Sequence, residues 1–230
     1  MKGGGHFTAG DGVDIFYTQE GPRDGIPILL LHGWVCDQND WSFQIPLLLS
    51  LGFWIISMDL RGHGRSSIAD NITAFDPVTL ANDAAALLAH HGIHGDNDRR
   101  AIVMGHSLGA VVAHELVFRH THLVSGTVEV DTAYYMTPPV MSDVVQLLEV
   151  ADSGQAGVAA TDFFAAAGVY PADRTPAWLP IWHQRRAWAM QSRVVTSTFQ
   201  QMAQYLGESG VAYLNRTRPA GGRNEIPRFR

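Results

Sequence analysis

The run Gly105-His106-Ser107-Leu108-Gly109 sets a serine between two flanking glycines. A serine on a sharp strand-to-helix turn exposes its hydroxyl at the helix N-terminus, where amides and dipole favour negative charge. The pattern is weak alone. Here it follows the strand-like Ala101-Ile102-Val103-Met104 and precedes a helix-like stretch from Ala110 to His120. That is the context the motif needs, with glycines where strand and helix backbones approach. A tetrahedral adduct on such a serine needs two N–H donors for its oxyanion. One candidate is the amide of Leu108. The other is the amide of Trp34, in Leu31-His32-Gly33-Trp34, where Gly33 permits a tight turn.

These residues need a frame that brings them together. Val13–Thr18, Ile28–Leu31, Phe53–Met58, Ala101–Met104 and Thr127–Val130 read as strands. Helices are predicted over Asp40–Ser50, from Asp76-Pro77 to His90, and over Ala110–His120. Asp76 would cap the second of these, with Pro77 at the first helical position. Leu80, Ala84, Leu87 and Leu88 share one face of it. Apolar strands separated by helices predict a mostly parallel sheet covered on both sides. Chemistry in such a sheet sits beyond the carboxyl ends of the strands. The polar residues there are His32, Asp59, Ser107 and Asp131.

After Tyr135 the character changes. Pro138-Pro139 reads as a break, followed by helical stretches over Val144–Val150, Gly157–Ala167 and Gln184–Leu206. The expected division is a core over 1–134, a helical lid over 135–214 and an irregular Arg-rich tail over 215–230. Trp178 and Trp182 of the lid, with Trp34 and His106, are expected to line a substrate pocket. His106 adjoins the serine in sequence, but the tight turn should direct its side chain elsewhere.

A third motif is Asp59-Leu60-Arg61-Gly62-His63-Gly64-Arg65-Ser66. With the other two, in this order, the chain resembles the α/β-hydrolase family. The resemblance covers His6 to Asp131 with specific motifs and the lid more loosely. It implies an α/β-hydrolase fold, with helices flanking a mostly parallel sheet and a helical lid. It implies Ser107 as nucleophile and Trp34 and Leu108 as oxyanion donors, with Asp59, Arg61 and His63 as structural braces. A serine rather than an aspartate at the elbow disfavours dehalogenase and epoxide-hydrolase chemistry. The expected reaction is cofactor-independent hydrolysis of an ester, thioester or similar small acyl substrate.

The family places its acid and its histidine late in the chain. Here no histidine follows His183 and no aspartate follows Asp173. The last strands of the fold are therefore expected to be missing, leaving the strand that ends at Asp131 as a sheet edge, a site for homodimerisation. Asp131 is the surviving candidate acid and His183 the candidate base. A hydrolase relative lacking full catalytic machinery, such as a shortened product or a small-molecule binder, is the alternative.

Composition narrows the rest. The chain has 230 residues, 46% hydrophobic and 17% charged, enough for one domain with a real core. A net charge of −6 gives no overall basic field for nucleic acid, although five arginines fall within the last fifteen residues. The single Cys36 excludes an internal disulfide framework. Without clustered ligand spacings or a phosphate-binding loop, no metal and no cofactor is expected. No apolar leader or spanning run is visible, so the expected location is cytoplasmic.

Overall fold

The computed structural model describes residues 2–71, 74–96, 99–132, 138–151 and 154–216. Six strands form one sheet: β1 (Lys2–Thr8), β2 (Asp14–Glu20), β3 (Pro27–Leu31), β4 (Trp54–Met58), β5 (Ala101–His106) and β6 (Val124–Val130). Their order is β1-β2-β4-β3-β5-β6. β1 pairs antiparallel with β2 and β2 antiparallel with β4, while β4, β3, β5 and β6 run parallel. Every residue of β3 and β4 is buried, so these strands read as unbroken apolar runs. Successive side chains of β3 point to opposite faces. Leu29 and Leu31 join the main core. Ile28 and Leu30 pack with Trp41 and Ile55 on the other side.

Helices α1 (Ile45–Ser50), α2 (Pro77–His90) and α3 (Leu108–Arg119) cover the sheet. The start of α2 is set locally. Asp76 accepts from the amides of Val78 at 2.9 Å and Thr79 at 3.1 Å, and Pro77 occupies the first turn. Leu80, Ala84, Leu87 and Leu88 are fully buried on its core face, each leucine contributing about 1.5–3 kcal/mol. The predicted helix over Asp40–Ser50 is instead a 3-10 turn (Gln38–Trp41) followed by α1. Its entry is fixed by Asp37, which accepts from the Asn39 amide.

Beyond the sheet the described residues form helices α4 (Pro138–Val150), α5 (Ala156–Ala166), α6 (Trp178–Ala189) and α7 (Ser192–Arg216). Pro138-Pro139 opens α4 instead of ending an element, because the first turn of a helix needs no amide from its proline. The single helix expected over Gln184–Leu206 is two helices, separated where Met190 takes an extended conformation. Val194, Val195, Phe199 and Met202 bury one face of α7 in the main core. The expected junction between core and lid falls at residues 133–137, and most of the expected tail begins at 217; both lie outside the described residues.

β6 lies at one end of the described sheet. Among the described residues no strand pairs with its outer side, and Val128 and Val130 are exposed. Among the described residues no helix is long and apolar enough to cross a membrane.

Candidate active site

β5 ends at His106, and Ser107 links it directly to α3. Ser107 has φ 51 and ψ −112, a conformation that L residues rarely adopt. The surroundings hold it there. The Ser107 amide donates to the Val130 carbonyl at 3.0 Å. A Cβ on Gly105 would strike the Gly109 carbonyl, and one on Gly109 would meet the His32 carbonyl at 2.7 Å. Strand, helix and the β3 loop thus converge at distances only glycine allows. Among the described residues the Ser107 hydroxyl makes no hydrogen bond.

The loop after β3 lies against this turn. A Cβ on Gly33 would stand 3.4 Å from Ser107 Cβ and 2.8 Å from His106 Nδ1. Ser107 and the His106 imidazole therefore flank one spot above Gly33. The Trp34 amide follows Gly33, and the Leu108 amide opens α3, where helix amides lack intrahelical acceptors. Among the described residues neither amide donates to a protein acceptor. Val35 in the same loop has φ 54, an outlier for a β-branched residue. The Trp34 side chain is turned inward. It is 4% exposed, its Nε1 donates to the Val195 carbonyl at 2.9 Å, and its ring packs on Phe164 and Phe199.

A cavity of about 460 Å³ opens beside His106. Phe43, Trp178, Leu179 and Trp182 give it aromatic and apolar walls, and Asp40, His106 and His183 supply its ionisable groups. Residues four apart share a helix face, so α6 presents Trp178, Trp182 and Arg186 together. Their contacts are direct: the Trp178 and Trp182 rings meet edge-on with centres 5.9 Å apart, and the Arg186 guanidinium sits 4.0 Å from the Trp182 ring centre. Of the expected substrate-lining residues, the structure brings His106, Trp178 and Trp182 to this cavity and encloses the Trp34 ring elsewhere.

His106 Nδ1 stands 3.4 Å from Asp40 Oδ2. Asp40 Oδ1 accepts from Arg186 Nη1 at 2.6 Å, and Asp40 Oδ2 lies 3.4 Å from the Gly33 amide. Arg186 also reaches Asp37 at 3.3 Å, while its Nε and Nη2 find no hydrogen-bond partner among the described residues. Burial opposes charge on Asp40, but the contact with His106 and the charge of Arg186 outweigh it and hold the carboxyl well below its usual range. The sequence reading missed Asp40 and Arg186. The available signal was an aspartate pair, Asp37 and Asp40, just after the predicted oxyanion loop.

The expected acid and base are not brought together. Asp131 follows β6 with φ 46, exposed, and makes no hydrogen bond or ion pair with another described residue. His183 Nδ1 shares a 2.8 Å hydrogen bond with the Tyr170 hydroxyl. Burial and Arg186 lower its pKa, and burial pushes the Tyr170 phenol up to about 12.

The third motif braces the frame. Asp59 is buried and accepts from the amides of Gln38 at 2.8 Å and Arg65 at 2.9 Å, tying two loops together. Arg61 is buried in a two-bond pairing with Asp83, both bonds at 2.6 Å, and also reaches Asp11. His32 accepts from the Leu60 amide through Nε2 at 2.9 Å, and its Nδ1 lies 2.7 Å from the Gly33 carbonyl. Both ring nitrogens are occupied, so His32 shapes the loop and has no free nitrogen for catalysis.

The sequence profile of the alpha/beta hydrolase family matches residues 28–226. The chain belongs to the alpha/beta hydrolase family. It is 42% identical over 105 residues to a non-heme chloroperoxidase of Streptomyces lividans, a match spanning 46% of this chain and 36% of that protein. A bifunctional esterase/perhydrolase of Acinetobacter calcoaceticus is 40% identical over the same shares. The chain thus spans about a third of the length of these curated relatives. Among solved structures, an esterase from Rhodococcus sp. ECU1013 superposes with a TM-score of 0.68 at 26% identity, covering 85% of this chain and 72% of that one.

Proposed function

We propose that the protein is a serine hydrolase acting on an ester, thioester or similar small acyl substrate through Ser107. The observation that carries this reading is the strained Ser107 turn, held against the Gly33-Trp34 loop with two uncommitted amides beside it. Strain of this kind costs of order 1–3 kcal/mol and persists only where surrounding structure enforces it.

In this reading Ser107 Oγ attacks the substrate carbonyl carbon while its proton passes to a base. The carbonyl oxygen takes the electron pair, and the amides of Trp34 and Leu108 donate to it. Collapse expels the alcohol or thiol, which leaves with a proton. Water then attacks the acyl-enzyme, releasing the acid and restoring the Ser107 hydroxyl. Helices α4–α7 serve as the lid, and the cavity under α6 accepts an uncharged apolar group of the substrate. Its aromatic walls favour a flat or short aliphatic group over a charged one. The esterase names among the relatives support the acyl reading.

Hydrolysis of p-nitrophenyl acetate tests it. The protein should turn over this ester, and Ser107→Ala should lower the rate by at least about 1000-fold while the variant stays folded by circular dichroism. Equal rates for the two proteins would end the proposal.

A further inference from the structure

We propose that a second cavity, on the outer side of the Phe43–Trp178 ring pair, holds the far end of the substrate's apolar arm. The substrate class is then an ester or thioester carrying a medium-length straight apolar chain. This rests on the serine reading above and adds to it where the chain runs. The second cavity, of about 390 Å³, is bounded by Ser42, Phe43, Trp178, Ile181, Trp182 and Arg185. It shares Phe43, Trp178 and Trp182 with the cavity beside His106, so the two spaces meet at these three rings. His106 borders only the first, and Ile181 and Arg185 border only the second. The pair of cavities therefore runs outward from the serine turn. The first takes a flat or short group, and the second prolongs it.

The walls of the second cavity are costly to leave in water. Phe43 is 65% exposed, Ile181 58% and Trp178 48%. Single exposed apolar residues are ordinary, but three set around one groove mark a place for an apolar ligand. They come from two distant parts of the chain. Phe43 precedes α1, and Trp178 and Ile181 belong to the first turn of α6. The Phe43 and Trp178 rings meet with centres 5.7 Å apart and planes 31° apart. Trp178 is the first residue of α6, and among the described residues its indole N–H makes no hydrogen bond. Its ring is held by contact with Phe43 and Trp182 alone, and rotation of that ring joins the two cavities.

Arg185 bounds the outer end. It is exposed, and among the described residues its guanidinium has no hydrogen bond or ion pair. Its methylene stem lies along the groove while its charge stays in water. A chain that reaches this end keeps its own tip at the solvent boundary. Each methylene moved from water into the groove strengthens binding by about fourfold.

Binding and turnover test this separately. Methyl hexyl ketone and methyl ethyl ketone, neutral carbonyl compounds of different chain length, are titrated into the Ser107→Ala chain and followed by tryptophan fluorescence. The longer ketone should bind at least about 10-fold more tightly. Adding Ile181→Ser, which alters the second cavity alone, should cut that preference at least about threefold. Leu179→Ser, in the wall of the first cavity alone, should weaken both ketones alike. Val150→Ser, at an exposed position on α4 outside both cavities, is the control and should keep the parent preference. Circular dichroism checks that each variant is folded. No preference for the longer ketone, or one that Ile181→Ser leaves unchanged, overturns the inference. In the chain that retains Ser107, p-nitrophenyl octanoate against butyrate probes the acyl side, and octyl against butyl acetate the alcohol side. One series should show a higher kcat/KM for the long chain and lose it in Ile181→Ser. A gain in neither series overturns the substrate class. Ester turnover unaffected by Ser107→Ala would instead remove the serine reading, while the ketone titrations still decide the second cavity.

Discussion

The indole N–H of Trp34 donates to the Val195 carbonyl at 2.9 Å, joining the loop after β3 to the first turn of α7, 161 residues later. The residue that offers a backbone amide to the proposed oxyanion site is thus fixed by its side chain to the helical segment. Trp34→Phe keeps most of the buried ring but removes the indole donor, while the Val195 carbonyl keeps its bond within α7. The expected cost is about 0.5–1.5 kcal/mol of stability, read by urea unfolding, with a larger fall in kcat than in substrate affinity. An unchanged kcat would separate the loop from α7.

The strain at Ser107 predicts a trade between stability and activity. Ser107→Gly relieves a positive φ that serine tolerates poorly. The variant should gain about 1 kcal/mol and lose ester turnover. Thermal melting beside the ester assay reads both. A variant less stable than wild type would mean the turn is not strained by its surroundings.

Much of this frame could be read in the sequence because it rests on local chemistry. Asp76-Pro77 caps and starts α2 by contacts within three residues, and the buried runs of β3 and β4 declare themselves by composition. β1 was not legible. Its Lys2-Gly3-Gly4-Gly5 has no strand propensity of its own and is ordered by seven pairings with β2. The break between α6 and α7 was hidden because Met190-Gln191 carries neither glycine nor proline. In the site, Ser107 and the oxyanion loop were visible as motifs. The Asp40–Arg186 pair was not, since its partners lie 146 residues apart and only tertiary packing brings them together.

Close backbone approach at the elbow gives a steep prediction for glycine. A methyl on Gly109 meets the Leu31 and His32 carbonyls, backbone atoms with no freedom to move aside. Gly109→Ala should cost at least about 3 kcal/mol or abolish soluble expression. Gly126→Ala, at a position with open space around the added carbon, is the control and should fold normally. Equal stability of the two variants would contradict the geometry.

Acid sensitivity follows from His63. Burial, with His32 alongside, pushes its pKa from the ordinary 6.5 to about 3. Between those values the unfolded chain binds a proton that the folded chain refuses. Stability therefore falls as pH drops through this window, by up to about 1.4 kcal/mol per pH unit. Asp40, whose carboxyl is held low, adds a further loss only below the ordinary carboxylate range. Unfolding midpoints measured from pH 7 to pH 4 should fall for wild type and fall less steeply for His63→Gln. Parallel curves would place the acid sensitivity elsewhere.

Ser107 is proposed above as an activated nucleophile. A fluorophosphonate probe reacts covalently with such a serine, and peptide mapping by mass spectrometry locates the adduct. A single labelled peptide spanning Gly105 to Gly109 is expected, with the adduct on Ser107 and none in heat-unfolded protein. Folded protein that stays unlabelled, or carries the adduct on another residue, would contradict it.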